Sequence, residues 1–289
     1  MWQQLSSSPA RRLADVRPSS GVKLLQTSED GIDRYGLPTR WVSLPEEHRP
    51  RRLVWRLNTA SFLRGERTID PTPELPDRFN IVSSIPDISE VRPAMTASEY
   101  ERWTVEMARS MLRLLPPDQV CILYQTPGRF SGEGGAWLDK GFLCQLGARR
   151  AGAACVWQKI VLADDCVGRR RGGTRAGFIQ LLCFSKRHRV ARDACAIDVL
   201  ADRGHMSYSH AMGEAAVATA IEYTLQMHDD EAARLPVVDF FCGYGSVLAV
   251  ANAYGLDAYG MDISLKCCRR AAAHSALVRP ETPIEHSKG

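Results

Sequence analysis

Two groups of residues in the last quarter of the chain have the types and spacing needed to bind a nucleoside. Gly243 and Gly245 follow the apolar run 237–241, where glycines allow a tight turn and let a ligand approach the backbone. Asp262 comes 23 residues after Asp239, at the end of a second apolar segment. An acid in that place can reach the ribose hydroxyls of a nucleoside that lies over the glycine turn.

The elements that must position these residues are a strand, a turn, a helix and a second strand. Residues 237–241 predict a buried parallel strand, residues 246–254 a helix ended by Gly255, and residues 258–261 the next strand. The dinucleotide fingerprint G-x-G-x-x-G has a third glycine where this chain has Leu248, so a dinucleotide site is not indicated. The alternative to a nucleoside site is a generic buried β-α-β unit.

The segment Asp-Phe-Phe-Cys-Gly-Tyr-Gly-Ser at 239–246 resembles the S-adenosylmethionine (SAM) motif of class I methyltransferases. It is similar to the variant in amino-methyltransferases, where Asp-Pro-Phe-Cys-Gly-x-Gly-Thr is typical. The resemblance implies SAM as the cofactor and assigns its binding to ten residues: Asp239, Phe241, Cys242, Gly243, Gly245, Ser246, Asp262, Ile263, Met212 and Gly213. For the last two, the alternative is a helix start capped by Ser207 or Ser209.

A second motif, Ser84-Ile85-Pro86-Asp87, follows a predicted strand at 79–83 and comes 155 residues before Asp239. Most class I methyltransferases have these elements in the reverse order, so the chain resembles the circularly permuted group of amino-methyltransferases. In that group the strand ends in (Asn/Asp/Ser)-Pro-Pro-(Tyr/Phe/Trp), which holds the target amine and stacks on an extruded base. The resemblance therefore implies catalytic roles for Ser84, Pro86 and Asp87.

The chain departs from the group at Asp87, where a carboxylate replaces the stacking aromatic residue. Asp87 either accepts a proton from the nucleophile or only caps the following turn. The segments 77–87, 124–126, 137–140, 156–160, 182–185 and 208–213, together with the SAM motif, extend over about 180 residues. Across them the chain also resembles a little-characterised family of SAM-dependent methyltransferases. Gln158 and Gln180 stand where that family is expected to have histidines. They indicate either a lost base or, as we favour, a buried hydrogen bond between neighbouring strands.

The remaining pattern predicts an α/β protein, a Rossmann-like class I methyltransferase fold with circularly permuted motif order and an irregular N-terminal extension. Residues 1–76 are assigned to the extension, with a short edge strand at 53–57, and residues 77–289 to the methyltransferase domain. Further strands are predicted at 120–125, 155–162 and 178–185, and helices at 99–115, 137–151, 212–226 and 265–277. Trp157 is expected in the core, and Asp139 and Lys140 as a surface pair.

Charge is concentrated in one part of the chain. Residues 146–192 contain eleven lysines or arginines against two aspartates, whereas the whole chain carries only +4. This basic lobe indicates a polyanion contact, with Arg169, Arg170, Arg171 and Arg175 as the candidate phosphate ligands, or else a solvated loop. The nine cysteines form no C-x-x-C pair, so no metal site is expected, and no apolar run is long enough to span a membrane.

These observations favour a SAM-dependent methyltransferase that acts on nucleic acid, with RNA, including ribosomal or transfer RNA, as the preferred substrate. A ribosome or its precursor is a candidate partner. Residues 1–23 resemble a mitochondrial transit peptide, so a mitochondrial location is expected, with a cytoplasmic or nuclear one as the alternative. One rival function is an RNA-bound assembly factor that kept the fold and lost turnover. The other is a methyltransferase for a protein or small molecule.

Overall fold

A computed structural model of the chain describes residues 24–25, 40–43, 50–66, 73–91, 94–129, 135–163, 176–187, 197–227 and 234–276. Its strands are β1 (Leu24–Leu25), β2 (Arg40–Ser43), β3 (Arg52–Arg56), β4 (Asn80–Ser83), β5 (Val120–Gln125), β6 (Gly128–Arg129), β7 (Trp137–Leu138), β8 (Ala154–Leu162), β9 (Phe178–Ser185), β10 (Val199–Leu200), β11 (Val237–Asp239) and β12 (Ala258–Asp262). Its helices are α1 (Thr59–Leu63), α2 (Ala97–Leu114), α3 (Lys140–Arg150), α4 (Glu214–Gln226), α5 (Ser246–Ala253) and α6 (Leu265–Ala273).

The centre of the fold is a sheet in the order β1-β2-β3-β12-β11-β4-β5-β9-β8-β10. The five strands from β3 to β5 in this order run parallel, and β9 is antiparallel to both β5 and β8. Strands β6 and β7 form a separate two-stranded sheet. The predicted α/β class with a largely parallel sheet is therefore confirmed.

Apolar side chains cover both faces of the sheet because neighbouring residues of a strand point to opposite sides. On one face, Val237 and its neighbours pack with α4, α5 and α6. On the other face, Val238 and its neighbours pack with α1, α2 and α3. Trp157 is buried as expected, and its ring meets the Tyr223 ring edge-on with the centroids 5.0 Å apart.

Strand β3 lies inside the sheet, where the sequence predicted an edge strand. It pairs in parallel with β12 over five residues, and Val54 and Trp55 contribute to the cores on opposite faces. Its other side pairs with β2. The sheet therefore begins before residue 77, and the division of the chain at that residue does not coincide with an edge of the fold. Short local segments carry no sign of such long-range parallel pairing, so the sequence pattern did not reveal it.

Arg52 fastens β3 to the last helix of the described chain. Its guanidinium donates hydrogen bonds to the carbonyl oxygens of Ala271 at 2.9 Å and His274 at 2.6 Å, and to Asn252 Oδ1 at 2.6 Å. Burial lowers the pKa of Arg52 to about 10.

The strands predicted at 120–125 and 178–185 are found at those positions.

Several predicted elements have different ends in the structure. Strand β11 stops at Asp239 because Phe240 and Phe241 already belong to the turn. Helix α3 begins only after Asp139, whose carboxylate accepts a hydrogen bond from Phe142 N at 3.1 Å. Helix α4 begins after Gly213, which makes no side-chain cap. No helix in the described part of the chain is long and apolar enough to cross a membrane.

Candidate active site

The two sequence motifs meet at the carboxyl edge of the sheet. Strands β4 and β11 are parallel neighbours, with Asn80 opposite Val237 and Ile81 opposite Val238. Just beyond them, Ser83 Oγ donates a hydrogen bond to Asp239 Oδ1 at 2.7 Å. The ends of these two strands therefore lie side by side. Residues from both ends line one cavity of about 490 Å³, at the edge where open α/β folds bind ligands.

On the β11 side of the cavity, the glycine turn and the acid of β12 are bound to each other. Gly243 N donates to Asp262 Oδ2 at 3.0 Å, and Ser264 N donates to Asp262 Oδ1 at 2.7 Å. Burial raises the pKa of Asp262, and these two hydrogen bonds oppose that rise. Each carboxylate oxygen can accept a further hydrogen bond. The arrangement can therefore receive a pair of hydroxyls without rearranging the turn.

The two glycines of the turn are needed for different reasons. Both have positive φ, +51° at Gly243 and +85° at Gly245, which favours glycine. A Cβ on Gly243 would lie 2.5 Å from Tyr208 Oη on the wall of the cavity, whereas one on Gly245 would lie 2.7 Å from the Cα of Ala271 in α6. Gly245 thus makes room for a helix, and the expectation that both glycines expose backbone to a ligand applies only to Gly243.

The other residues assigned to the cofactor fall into two groups. Those that line the cavity are Met212, Asp239, Phe241, Cys242, Gly243, Ser246, Asp262 and Ile263. Gly213 and Gly245 instead precede α4 and α5 as their N-caps. Burial raises the pKa of the Cys242 thiol well above its usual range, in keeping with a packing residue.

Asp239 lies between the two motifs and is almost completely buried. Burial raises its pKa to about 7, although the hydrogen bonds from Ser83 Oγ and from Phe241 N act in the opposite direction. Because it bonds to the last residue of β4 and to the start of the glycine turn, Asp239 fixes the geometry between the motifs. The main role of the Asp239 side chain is therefore to hold the two motifs in place, rather than to supply a negative charge to the cavity.

On the β4 side of the cavity, Ser84 and Pro86 line the wall, and Asp87 is tied to a buried lysine beside it. Lys140 Nζ donates to Ile85 O at 3.0 Å and to Asp87 Oδ1 at 2.7 Å. Burial lowers the pKa of Lys140, but interactions with Tyr100 and Asp87 outweigh burial and raise it. The expected surface pair of Asp139 and Lys140 is wrong, because Lys140 is 4% exposed and points under this loop.

The carbonyl groups of Ile85 and Pro86 in this loop already accept hydrogen bonds from the protein. Ile85 O accepts from Lys140, and Pro86 O accepts from Tyr100 Oη at 2.6 Å. In the permuted amino-methyltransferases that the motif resembles, a carbonyl here binds the target amine. Each of these carbonyl oxygens keeps one lone pair, so a substrate would share them with the protein and would also meet the Ser84 hydroxyl.

Gln158 and Gln180 do not make the hydrogen bond that was expected between them. Gln158 is exposed and lies opposite Leu182, whereas Gln180 is buried and lies opposite Ile160 on one side and Gln125 on the other. Neither glutamine is among the described residues that line the cavity. The absence of histidine at these two positions therefore removes no group from this cavity.

The structure adds cavity residues that the sequence reasoning did not assign to the site. They are Asn58, Thr59, Ala60 and Arg64 around α1, Glu90, Val91 and Met95 after the β4 loop, Trp103 on α2, Val247 on α5, and Ser264 and Cys267 at the start of α6. Tyr208, His210 and Ala211 also line the cavity, in the segment before Met212 that the resemblance places near the methionine end of SAM. Residues 58–60 follow β3 directly, so placing β3 next to β12 would have found them. Arg169, Arg170, Arg171 and Arg175 lie outside the described residues.

Comparison with known proteins identifies the fold. No protein-family model matches the chain, and no curated protein matches it. The cytosine-N4-specific PvuII DNA methyltransferase superposes with a TM-score of 0.58 at 13% identity, over 76% of this chain and 85% of that one. A candidate DNA modification methylase of Thermus thermophilus superposes with a TM-score of 0.53 at 15% identity, over 78% of this chain and 92% of that one.

The same Thermus protein in complex with S-adenosyl-L-methionine superposes with a TM-score of 0.52 at 15% identity, over 75% of this chain and 90% of that one. At these identities the similarity concerns the fold. The chain has the α/β fold of class I SAM-dependent methyltransferases, and this prediction from its motifs is confirmed.

Proposed function

We propose that the chain is a SAM-dependent methyltransferase that acts on nucleic acid. The observation that carries the proposal is the shared cavity, which joins a glycine turn and strand-end acid to a polar loop at the end of the neighbouring strand. The first half suits a nucleoside cofactor and the second half suits its acceptor. Methyl transfer from a sulfonium needs little more than this alignment and a route for the proton.

The cofactor half offers a polar end and an apolar end. Asp262 is placed for the ribose hydroxyls of SAM. Ile263 follows it with 68% of its surface exposed, which suits packing against a flat ring such as adenine. Met212 and Ser246 line the same cavity and are proposed to lie near the methionine end of the cofactor. The solved structure of the Thermus protein with bound SAM supports this choice of cofactor by analogy of fold.

The order of the motifs supports a circularly permuted arrangement. Residues 84–87, here called the acceptor loop, follow β4, and the glycine turn follows β11. Strand β4 precedes β11 by more than 150 residues, yet the two are neighbours in the sheet. In the usual arrangement the glycine-turn strand comes first. The PvuII enzyme, which is named for cytosine-N4 methylation, has the same fold over most of its length.

RNA is the proposed acceptor, and the basic lobe is the reason. The similar structures are named for DNA methylation, which supports a nucleic acid as the methyl acceptor. The choice of RNA over DNA depends on the basic lobe. Arginines 169, 170, 171 and 175 are proposed as phosphate ligands, and the arginine-rich start of the chain is proposed as a mitochondrial signal. A ribosomal or transfer RNA in that compartment is the proposed target.

A second candidate is an RNA-bound assembly factor that binds SAM without turnover. The hydrogen-bonded carbonyls of Ile85 and Pro86 and the ion pair of Asp87 favour it, since an amine would have to share these oxygens with Lys140 and Tyr100. A methyltransferase for a protein or small molecule would leave the basic lobe without a role.

The test is transfer of tritiated methyl groups from SAM to separate pools of total RNA, genomic DNA and soluble protein. We expect label in the RNA pool that is sensitive to ribonuclease. Label confined to DNA would contradict the choice of RNA, and label confined to protein would favour the alternative methyltransferase. SAM binding without label in any pool would favour the assembly factor, and absence of SAM binding would contradict the proposal as a whole.

A further inference from the structure

Glu90 and His210 form a carboxylate–imidazole pair on the wall of the cavity. His210 Nδ1 lies 3.3 Å from Glu90 Oε1, and the two side chains are 41% and 39% exposed. Both line the cavity together with Ser84 and Pro86 of the acceptor loop. The imidazole is therefore accessible to a bound acceptor, and its orientation is set by a carboxylate, as in the acid–base pairs of many enzymes.

The pair is attached to the acceptor loop itself. Asp87 N donates to Glu90 Oε2 at 2.8 Å, and Glu90 N donates to Asp87 O at 2.8 Å. Asp87 is in turn held by Lys140 from below. Glu90 thus uses one oxygen to anchor itself to the loop and the other to contact His210. This linkage holds the imidazole beside the loop that contains Ser84.

The charged neighbours of the pair favour proton transfer over metal binding. Ligand atoms of Asp87, Glu90 and His210 all lie within 4.8 Å of one another. The Lys140 ammonium, 2.7 Å from Asp87, already supplies the positive charge that a cation would bring. Tyr208 lies beside His210 with ring centroids 6.3 Å apart, and burial raises its pKa, as does the charge of Glu90. Tyr208 therefore stays neutral and does not compete as a base.

We propose that His210, positioned by Glu90, accepts the proton of the nucleophile during methyl transfer; this inference rests on the proposed function. The acceptor nitrogen or oxygen forms a bond to the methyl carbon of SAM as the carbon–sulfur bond breaks. The bonding electrons go to sulfur, which leaves as the thioether of S-adenosylhomocysteine. The proton of the acceptor passes to the His210 imidazole and then to solvent. This assigns to His210 the proton-accepting role that the sequence offered to Asp87.

The assignment explains how a loop with engaged carbonyls can still support chemistry. With Ile85 O and Pro86 O already accepting hydrogen bonds, an acceptor group gains less activation from the loop than in the amine-methylating group. A positioned imidazole replaces that activation. The same base serves a hydroxyl, which must lose its proton as it is methylated, as well as an amine.

The experiment compares full-length His210→Ala with His205→Ala in the tritium assay on the RNA pool. His205 lies on the same segment, is exposed, and is not among the described residues that line the cavity. We expect His210→Ala to lower turnover about 10²–10⁴-fold with SAM affinity unchanged, and His205→Ala to behave as the wild type. Added imidazole should restore part of the turnover of His210→Ala only, a result that a merely structural role would not give.

Glu90→Gln tests the positioning role. It keeps the size of the side chain and an oxygen for Asp87 N, and we expect a smaller loss of turnover with the KM for SAM unchanged. Wild-type turnover in His210→Ala, or a loss that imidazole does not rescue in a folded variant, would overturn the inference and leave the proposed function standing. A wild-type chain that labels no pool would overturn both, and this failure appears before any variant is compared.

Discussion

The two halves of the cavity, at the ends of β11 and β4, are held together by different kinds of contact. On the β11 side, the backbone N–H groups of Gly243 and Ser264 donate hydrogen bonds to the Asp262 carboxylate. Gly243 has positive φ and no side chain, so a ligand can approach the backbone there. On the β4 side, a buried lysine and a buried tyrosine occupy the carbonyls of the loop, and an ion pair holds Asp87. The half proposed for the cofactor presents glycine backbone and a carboxylate, whereas the half proposed for the methyl acceptor is held by internal polar contacts.

The two halves therefore constrain function unequally. A glycine turn with a strand-end acid has few alternatives, because bare backbone and a correctly placed carboxylate are hard to replace. In the loop that holds the methyl acceptor, a positioned imidazole can replace the backbone carbonyls and still accept the proton of the nucleophile.

Gly245→Val should produce the largest loss and should act through the fold. Its Cβ would lie 2.7 Å from the Cα of Ala271, and a β-branched residue at φ +85° is strained. Overpacking and strain together predict a loss of about 3–6 kcal/mol in the free energy of unfolding, measured by urea denaturation. No local pattern in the sequence shows this contact with α6.

Gly152→Val is the matched control for that variant. Gly152 has φ +74° and open space around its Cβ position, so this variant carries the strain without the clash. We expect it to lose clearly less stability than Gly245→Val. Equal losses in the two variants would mean that packing against α6 is not the reason for glycine at 245.

Asp239 should make stability depend on pH at the junction between the halves. Its pKa of about 7 in the folded chain exceeds the ordinary value near 4, so the folded state keeps a proton that the unfolded state releases. This contribution to stability is present below about pH 4 and is lost as the pH rises to about 7, a change of about 3–4 kcal/mol.

Asp239→Asn removes the titration and keeps an oxygen for Ser83 and Phe241. The difference in unfolding free energy between variant and wild type should therefore shift in favour of the variant from about pH 4.5 to about pH 7.5. Urea titrations at several pH values in this range measure it. A difference that stays constant with pH would show that Asp239 is ionised throughout.

Lys140→Met should damage the acceptor half while the cofactor half remains intact. Removing the ammonium leaves Asp87 without its buried partner and frees Ile85 O, at a cost of about 2–3 kcal/mol of stability. We expect turnover to fall in folded protein while SAM affinity, measured by calorimetry, is retained.

Lys159→Met is the control for the loss of a buried lysine, because Lys159 on β8 donates to Ile197 O and is not among the described residues that line the cavity. It should lose stability and keep its turnover. If Lys140→Met weakened SAM binding as strongly as turnover, the two halves would not be separable in the way described.

Asp262→Ala should have the most selective effect, confined to cofactor affinity. A hydrogen bond to a charged group contributes about 1.5–3 kcal/mol, so SAM should bind roughly ten- to a hundredfold more weakly. Asp257→Ala is the control, because Asp257 lies just before β12 and pairs with Arg51, away from the described lining of the cavity. Equal SAM affinity in both variants would remove Asp262 from the cofactor site.

The parts of the site that could be predicted are those encoded in one continuous stretch. The strand, turn, helix and strand at 237–262 follow from local patterns of apolar residues and glycines. The pairs Asp87–Lys140 and Glu90–His210 join residues 53 and 120 positions apart, and no local pattern carries them. The same holds for β3, whose place beside β12 depends on pairing between residues 206 positions apart.

The most direct test is a crystal structure of the chain with bound S-adenosylhomocysteine. We expect the ribose hydroxyls at Asp262, the adenine beside Ile263, and the sulfur directed across the cavity towards Ser84 and His210. Binding at another place on the sheet, or a cavity that stays empty at saturating ligand, would contradict the proposal that this cavity holds the methyl donor.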